Sequence, residues 1–283
     1  MAANVIRQSD FLNLDRNHWM MRGLVGWWPL QEGAGLKAHD LSPYNETGTL
    51  TNMDQSTDWI IGPRAGSALD FDSTDDFVDV VNDVRYTPGQ LTVSAWVNFD
   101  DMDGQQAIAG VYSNTGNQRS WFFGTDASAA VQQKINFIFS SDGTNFEVWE
   151  VSFNDPNVWH HWAATYDGSG GSGVAIYKDG IAQTVSKDQS SGTPSGALHN
   201  STAALRIGRV TAQGSVPNYL DGSLSDVRIW DRALSPSEVR DIYLNPWAPF
   251  QQRNQVVVPT ITAASIQYIA RQIKIQNQRL ILK

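Results

Sequence analysis

The stretch Tyr219–Trp247, YLDGSLSDVRIWDRALSPSEVRDIYLNPW, decides how the chain is read. Asp221-Gly222 signals a turn, and Leu224 to Trp230 continues with the alternation of a strand. On that alternation Ser225, Val227 and Ile229 share one face; Leu224, Asp226, Arg228 and Trp230 share the other. Aspartate is disfavoured within a strand, so Asp226 needs a partner. Ser235 fits a helix N-cap, Pro236 the first helical position, and Glu238 the reciprocal position of a capping box. Leu234 and Val239 sit where a hydrophobic staple forms. Asn245-Pro246 ends the helix. The stretch therefore predicts a strand locked by one small, well-capped helix, not a catalytic loop.

Upstream, short apolar runs between turn signals repeat this strand character. They include LVGWWPL, SALDFD, DFVDVV, LTVSAWVNF, RSWFFGT, KINFIFSS, NFEVWEVSF, WHHWAATYD and VAIYKDGIAQTV. The last holds Asp179-Gly180, a two-residue hairpin signal. In LTVSAWVNF, Val93, Ala95 and Val97 share one face, opposite Thr92, Ser94, Trp96 and Asn98. Roughly a dozen strands without intervening helices predict an all-β chain of two packed antiparallel sheets.

The 283 residues include no cysteine, so disulfide and thiol chemistry are excluded. No apolar run approaches the roughly 18 residues of a membrane span. The start, MAANVIRQSDFLNLDRNHW, has no apolar core of a signal peptide, so the expectation is release without the general secretory route. Only five of the 29 acids are glutamate: Glu32, Glu46, Glu147, Glu150 and Glu238. Residues 246–283 carry five basic side chains and no acid, leaving −14 on the rest of a chain whose net charge is −9. An acidic body argues against nucleic acid as a partner. The expected organisation is an N-terminal arm over 1–22, one β domain over 23–245 and a basic C-terminal arm over 246–283.

Taken in order, GLVGWWPLQEGAG, HDLSPYNETGTL, ALDFDSTDDFVDV, LTVSAWVNF, WHHWAATYD, VAIYKDGIAQ, LRIGR and LDGSLSDVRIWDRALSPSEV resemble a LamG-like jelly roll of the concanavalin A-like lectin/glucanase superfamily. Trp162 departs from the pattern, which more often has a smaller aliphatic residue there. The resemblance implies two antiparallel sheets whose first and last strands lie side by side. It also implies a structural calcium held by an acid of the closing strand and the loop after the first strand. The expected metal ligands are thus Glu32, Asp40 and Asp226, oxygen donors of the kind Ca²⁺ takes. A salt bridge or backbone hydrogen bonds are the other reading of Asp226. The run Asp70, Asp72, Asp75 and Asp76 reads first as a solvated turn, since it lacks the glycine and terminal glutamate of an EF-hand loop.

His160 and His161 are adjacent on a strand, point to opposite faces and cannot clamp one metal. Glu147 and Glu150 are the only close glutamate pair; three apart on a strand, they face opposite sides. The two-carboxylate arrangement of a glycosidase is therefore not expected. Sugars stack on exposed aromatic rings, and Trp59, Trp121 and Tyr219 read as the carbohydrate-binding candidates; Trp27, Trp96, Trp149 and Trp230 read as core. The expectation is a non-enzymatic virion structural or capsid decoration protein of phage type. It would display a lectin-like domain to cell-surface glycans and bind other virion proteins through its C-terminal arm. It would form homo-oligomers, trimers among them. The competing expectation is a carbohydrate-binding module of a secreted or cell-surface protein.

Overall fold

A computed structural model describes residues 14–101, 104–125, 134–211 and 217–250. Two antiparallel sheets form a sandwich. The first runs Ile181–Ala182, Val174–Lys178, His160–Tyr166, Leu91–Phe99, Asp221–Trp230, Ser67–Asp72, Trp59–Ile61. The second runs Ser186–Ser191, Phe146–Ser152, Lys134–Phe139, Gln118–Thr125, Ala107–Ser113, Arg206–Ile207, Phe77–Asp79, Gly48–Thr51, Lys37–Ala38, with Arg209–Thr211 and Pro217–Tyr219 at its flank. Alternation sets the core: Val93, Ala95 and Val97 meet Phe123, Ile135, Phe137 and Phe139 between the sheets. Trp162 joins them, 1% exposed and edge-on to Phe153.

The opening strand Leu24–Trp28 pairs with the closing strand, Leu24 opposite Trp230 and Trp28 opposite Val227. The closing strand changes partner along its length. Its first residues, Asp221–Leu224, pair with Asp72–Leu69, and its last pair with the opening strand. Between them the register against Leu91–Phe99 shifts: Ser225 faces Trp96, but Arg228 faces Ser94. One residue is extra, a β-bulge. Asp226 lies in it, at φ 54°. The bulge reverses the alternation expected from sequence. Leu224, Val227 and Ile229 point into the core, while Trp230 packs on the outer face of the first sheet.

That outer face is covered by the helix Pro236–Leu244 and both ends of the domain. The capping box is complete: Ser235 Oγ accepts from Glu238 N at 3.3 Å, and the Glu238 carboxylate accepts from Ser235 N at 2.9 Å. Leu234 and Val239 are buried together. At the other end Arg64 donates to Tyr243 O and Leu244 O, supplying cationic donors to the orphan carbonyls of the last turn. The Asp179-Gly180 turn has φ of 51° and 74°, the positive pair a tight hairpin requires.

Two expected boundaries move outward. Trp230 Nε1 donates to Met20 O at 2.8 Å, and Asp15 N donates to Pro249 O at 2.7 Å. Trp247 stacks on Trp27 with centroids 6.0 Å apart. The domain therefore includes residues 14–22 and 246–250, placed in the arms by sequence. Polar composition hid the first, and Pro246 read as a boundary when it is the turn that brings Trp247 back. A second unit is Gln252–Lys283. Most of the expected C-terminal arm, and residues 1–13 of the N-terminal one, lie outside the described residues.

Candidate functional site

Asp226 and Arg228 are 2% and 1% exposed, and they face each other across the bulge. Arg228 Nε donates to Asp226 Oδ1 and Nη2 to Oδ2, both at 2.8 Å. Trp27 Nε1 donates to Oδ1 at 2.7 Å. Arg228 Nη2 also reaches Pro246 O at 2.6 Å, and its guanidinium lies 4.1 Å from the Trp27 ring centroid. Two buried charges thus satisfy each other through a bidentate pair, which a site of low dielectric demands. The left-handed backbone at Asp226 aims its carboxylate at the arginine two residues on.

Asp40 is likewise buried and fully engaged. Its Oδ1 accepts from Trp27 N at 2.8 Å and Ser42 N at 2.7 Å; its Oδ2 accepts from Ser42 Oγ at 2.6 Å and Glu46 N at 2.9 Å. Burial pushes this carboxyl above its ordinary value, against the pull of those donors. Glu32 Oε1 accepts from His39 N at 2.7 Å, and burial pushes Glu32 up as well. The three expected calcium ligands therefore do not form one metal site. The reason is local: Asp226 is consumed by Arg228 and Trp27, and Asp40 by the loop it folds. Among the described residues, the group of three acids whose ligand atoms lie within 4.8 Å of one another is Asp72, Asp75 and Asp76.

That group belongs to a rim of aspartates at the start of the closing strand. Asp72 Oδ1 accepts from Thr74 N at 2.8 Å, the side-chain turn expected of the run. Burial and the neighbouring Asp72 push Asp76 up to about 6. Burial and the neighbouring Asp101 push Asp221 up to about 6. Ser223 Oγ donates to Asp70 Oδ1 at 2.7 Å.

The loop that Asp40 organises carries a group the sequence reading passed over. Tyr44, in SPYNETG, is 47% exposed. The Arg85 guanidinium lies 4.1 Å from its ring centroid. Arg85 Nη2 donates to Glu46 Oε1 at 2.7 Å and Asp83 Oδ2 at 2.6 Å. This pairing holds Asp83 below the usual carboxylate range. An aromatic residue between proline and asparagine in a loop was the available signal.

The sugar-binding candidates disperse. Trp121 is 0% exposed, in mid-strand, with Nε1 donating to Tyr86 O at 2.6 Å. It is a core residue, because on the strand Gln118–Thr125 its side chain faces the interior between the sheets rather than solvent. Trp59 is half-buried on the edge strand of the first sheet, its Nε1 donating to Gly35 O at 3.0 Å. Tyr219 belongs to the second sheet, with Arg209 5.3 Å from its ring centroid. These residues share no surface as a set. Of the tryptophans read as core, Trp27 and Trp230 are 0% exposed.

The glutamate pair is split as expected. Glu147, opposite Phe139, binds Lys187 at 2.6 Å; Glu150, opposite Asn136, binds Lys134. His161 is buried beside Trp96, and loss of solvent pushes it down to about 3, so it is neutral. His160 points the other way, its Nδ1 2.8 Å from Asp179 Oδ2. No helix among the described residues is long and apolar enough to cross a membrane.

A laminin G-type family described as the concanavalin A-like lectin/glucanases superfamily matches residues 72–240. No curated protein matches. Among solved structures, the receptor-binding domain of botulinum neurotoxin C/D mosaic serotype superposes with a TM-score of 0.55 at 14% identity, over 79% of this chain and 51% of that one. The chain thus spans about half the length of that toxin domain. Domain 4 of AbnA, a GH43 extracellular arabinanase from Geobacillus stearothermophilus solved with arabinotriose, gives a TM-score of 0.53 at 17% identity. There 78% of this chain covers 98% of that one. A Trypanosoma rangeli sialidase mutant displaying trans-sialidase activity gives 0.56 at 14%, over 82% and 34%.

Proposed function

The chain belongs to the concanavalin A-like lectin/glucanases superfamily, and from that premise we propose that it is a non-enzymatic carbohydrate-binding domain that a larger assembly displays. One observation carries the reading: the fold covers 98% of domain 4 of the arabinanase, a domain solved in complex with arabinotriose. The disposition of the acids agrees with binding rather than hydrolysis. Glu147 and Glu150 are each neutralised by a lysine and lie on opposite faces of one strand. Hydrolysis needs two carboxylates about 5–9 Å apart across one bond. An array of neutral and acidic glycans tests the proposal. It is expected to return hits at micromolar to millimolar affinity; an array empty at high protein concentration would sink it.

The display platform we favour is a virion surface, with residues 251–283 as the attachment segment. Its five basic side chains and no acid stand against −14 on the rest of the chain. That charge division supports docking against an acidic partner or self-association. Copurification of the chain with particles tests this reading. A module of an extracellular protein is the second reading, favoured by the likeness to the arabinanase domain.

A calcium ion, if the domain carries one, would be held by Asp72, Asp75 and Asp76. Their carboxylates supply the hard oxygen donors this ion takes, and it would neutralise the aspartate rim.

A further inference from the structure

We propose that Tyr44, Arg85, Glu46 and Asp83 form a subsite for one ring of a neutral oligosaccharide. The inference rests on the carbohydrate-binding reading and gives it a place.

Four observations converge there. Tyr44 is the one aromatic side chain among the described residues that leaves a large part of itself in water. A guanidinium stacked 4.1 Å from its centroid covers one face of the ring, so the exposed area is the other face and the edge. An apolar CH face of a sugar fits a flat, half-covered ring of this kind, because the ring gives large contact area at little loss of side-chain freedom. The ring is also fixed in advance. Asp40 accepts from Ser42 N and Glu46 N, Ser42 Oγ accepts from Tyr44 N at 3.2 Å, and Trp28 Nε1 donates to Glu46 O at 3.0 Å. A loop tied at both ends loses little entropy on binding.

The polar groups around the ring complete the arrangement. Arg85 holds Glu46 and Asp83 on one nitrogen, so both carboxylates sit beside the stacked ring. Their side chains are 35% and 29% exposed, within reach of a ligand. Carboxylate oxygens accept from hydroxyl groups, and charged acceptors make the stronger hydrogen bonds. Asp83 also accepts from Arg85 N, which orients it. The site's formal charge is −1, on an acidic body. Sialylated, sulfated and uronic-acid glycans are thereby disfavoured, and neutral sugars with adjacent hydroxyls are selected.

Titration calorimetry of the intact chain with neutral oligosaccharides, arabinotriose among them, decides the matter. Tyr44→Ala is expected to lower affinity about tenfold or more for the sugar that wild type binds, with an unchanged melting curve. Tyr44→Phe is expected to keep wild-type affinity, since stacking does not use the hydroxyl. Glu46→Gln is expected to weaken binding severalfold. Wild-type binding that survives Tyr44→Ala overturns this subsite and leaves the carbohydrate-binding reading intact. Absence of wild-type binding to any neutral sugar overturns the subsite, and the carbohydrate-binding reading falls with it only if acidic glycans also fail to bind. A Tyr44→Ala protein that melts well below wild type is set aside in favour of Glu46→Gln, whose unchanged affinity would likewise overturn the subsite.

Discussion

Asp226 shows how one side chain divides two readings. A carboxylate on the closing strand can hold a cation from solvent or an arginine from its own chain. Here Arg228, two residues away, takes both oxygens, and Trp27 takes a third bond. Breaking such a buried pair leaves an uncompensated charge and costs about 3–5 kcal/mol. Asp226→Ala should lower stability by that amount in chemical denaturation, and so should Arg228→Ala. The double replacement should cost less than the sum of the two, because it removes both charges. Neither should alter any response to calcium. The need for a partner at Asp226 was legible from its strand position, and so was the salt-bridge alternative. Alternation also put Arg228 on the same face as Asp226; that the two close into a bidentate pair was not legible, because it depends on the bulge and the left-handed backbone at Asp226.

At the scale of elements, the helix and the aspartate rim behave differently toward solution conditions. The capping box at Ser235 was readable because it depends on neighbours in sequence, and Ser235→Ala should cost about 1 kcal/mol. The rim depends on neighbours in space. Asp76 and Asp221, both pushed up to about 6, keep protons in the folded state that the unfolded chain releases near its ordinary value of 3.8. Stability from these groups therefore falls as pH rises from about 4 to about 6. The melting temperature should be higher at pH 5 than at pH 7.5, and Asp76→Asn should shrink that difference. Calcium at pH 7.5 should relieve the same repulsion. At 100-fold excess over Kd it should add about 2.7 kcal/mol, with a smaller effect at pH 5. Asp75→Asn should abolish the response while Asp226→Ala spares it; a chelator without effect on the melting curve would remove the ion from the account. The bulge is the element that sequence could not show. It sits where the closing strand leaves Ser67–Asp72 for the opening strand, a consequence of sheet topology rather than of local pattern.

For the molecule as a whole, the all-β sandwich was legible, since strand alternation and turn residues carry it; the pairing of first and last strands came only from the family resemblance, because a contact between chain ends has no local signature. The candidate sugar site was not legible. Trp121 looked exposed and is core, whereas Tyr44 is exposed because Asp40, thirteen residues from its partner Trp27, pins the loop outward. Such a contact has no signature in spacing. The domain edge likewise required Trp247 on Trp27. Truncation after Asn245 should therefore lower the melting temperature, since it strips Trp247 and the Pro246 carbonyl from Arg228. Truncation after Phe250 should leave the domain folded, and by our reading it should reduce self-association or particle attachment, measured by light scattering and copurification. The central claim, binding without hydrolysis, is tested most directly by following a titration with a neutral oligosaccharide by nuclear magnetic resonance. The account predicts saturable shifts of sugar resonances, with the sugar intact after prolonged incubation. Cleavage of the glycosidic bond, or the absence of any shift at millimolar sugar, would contradict it.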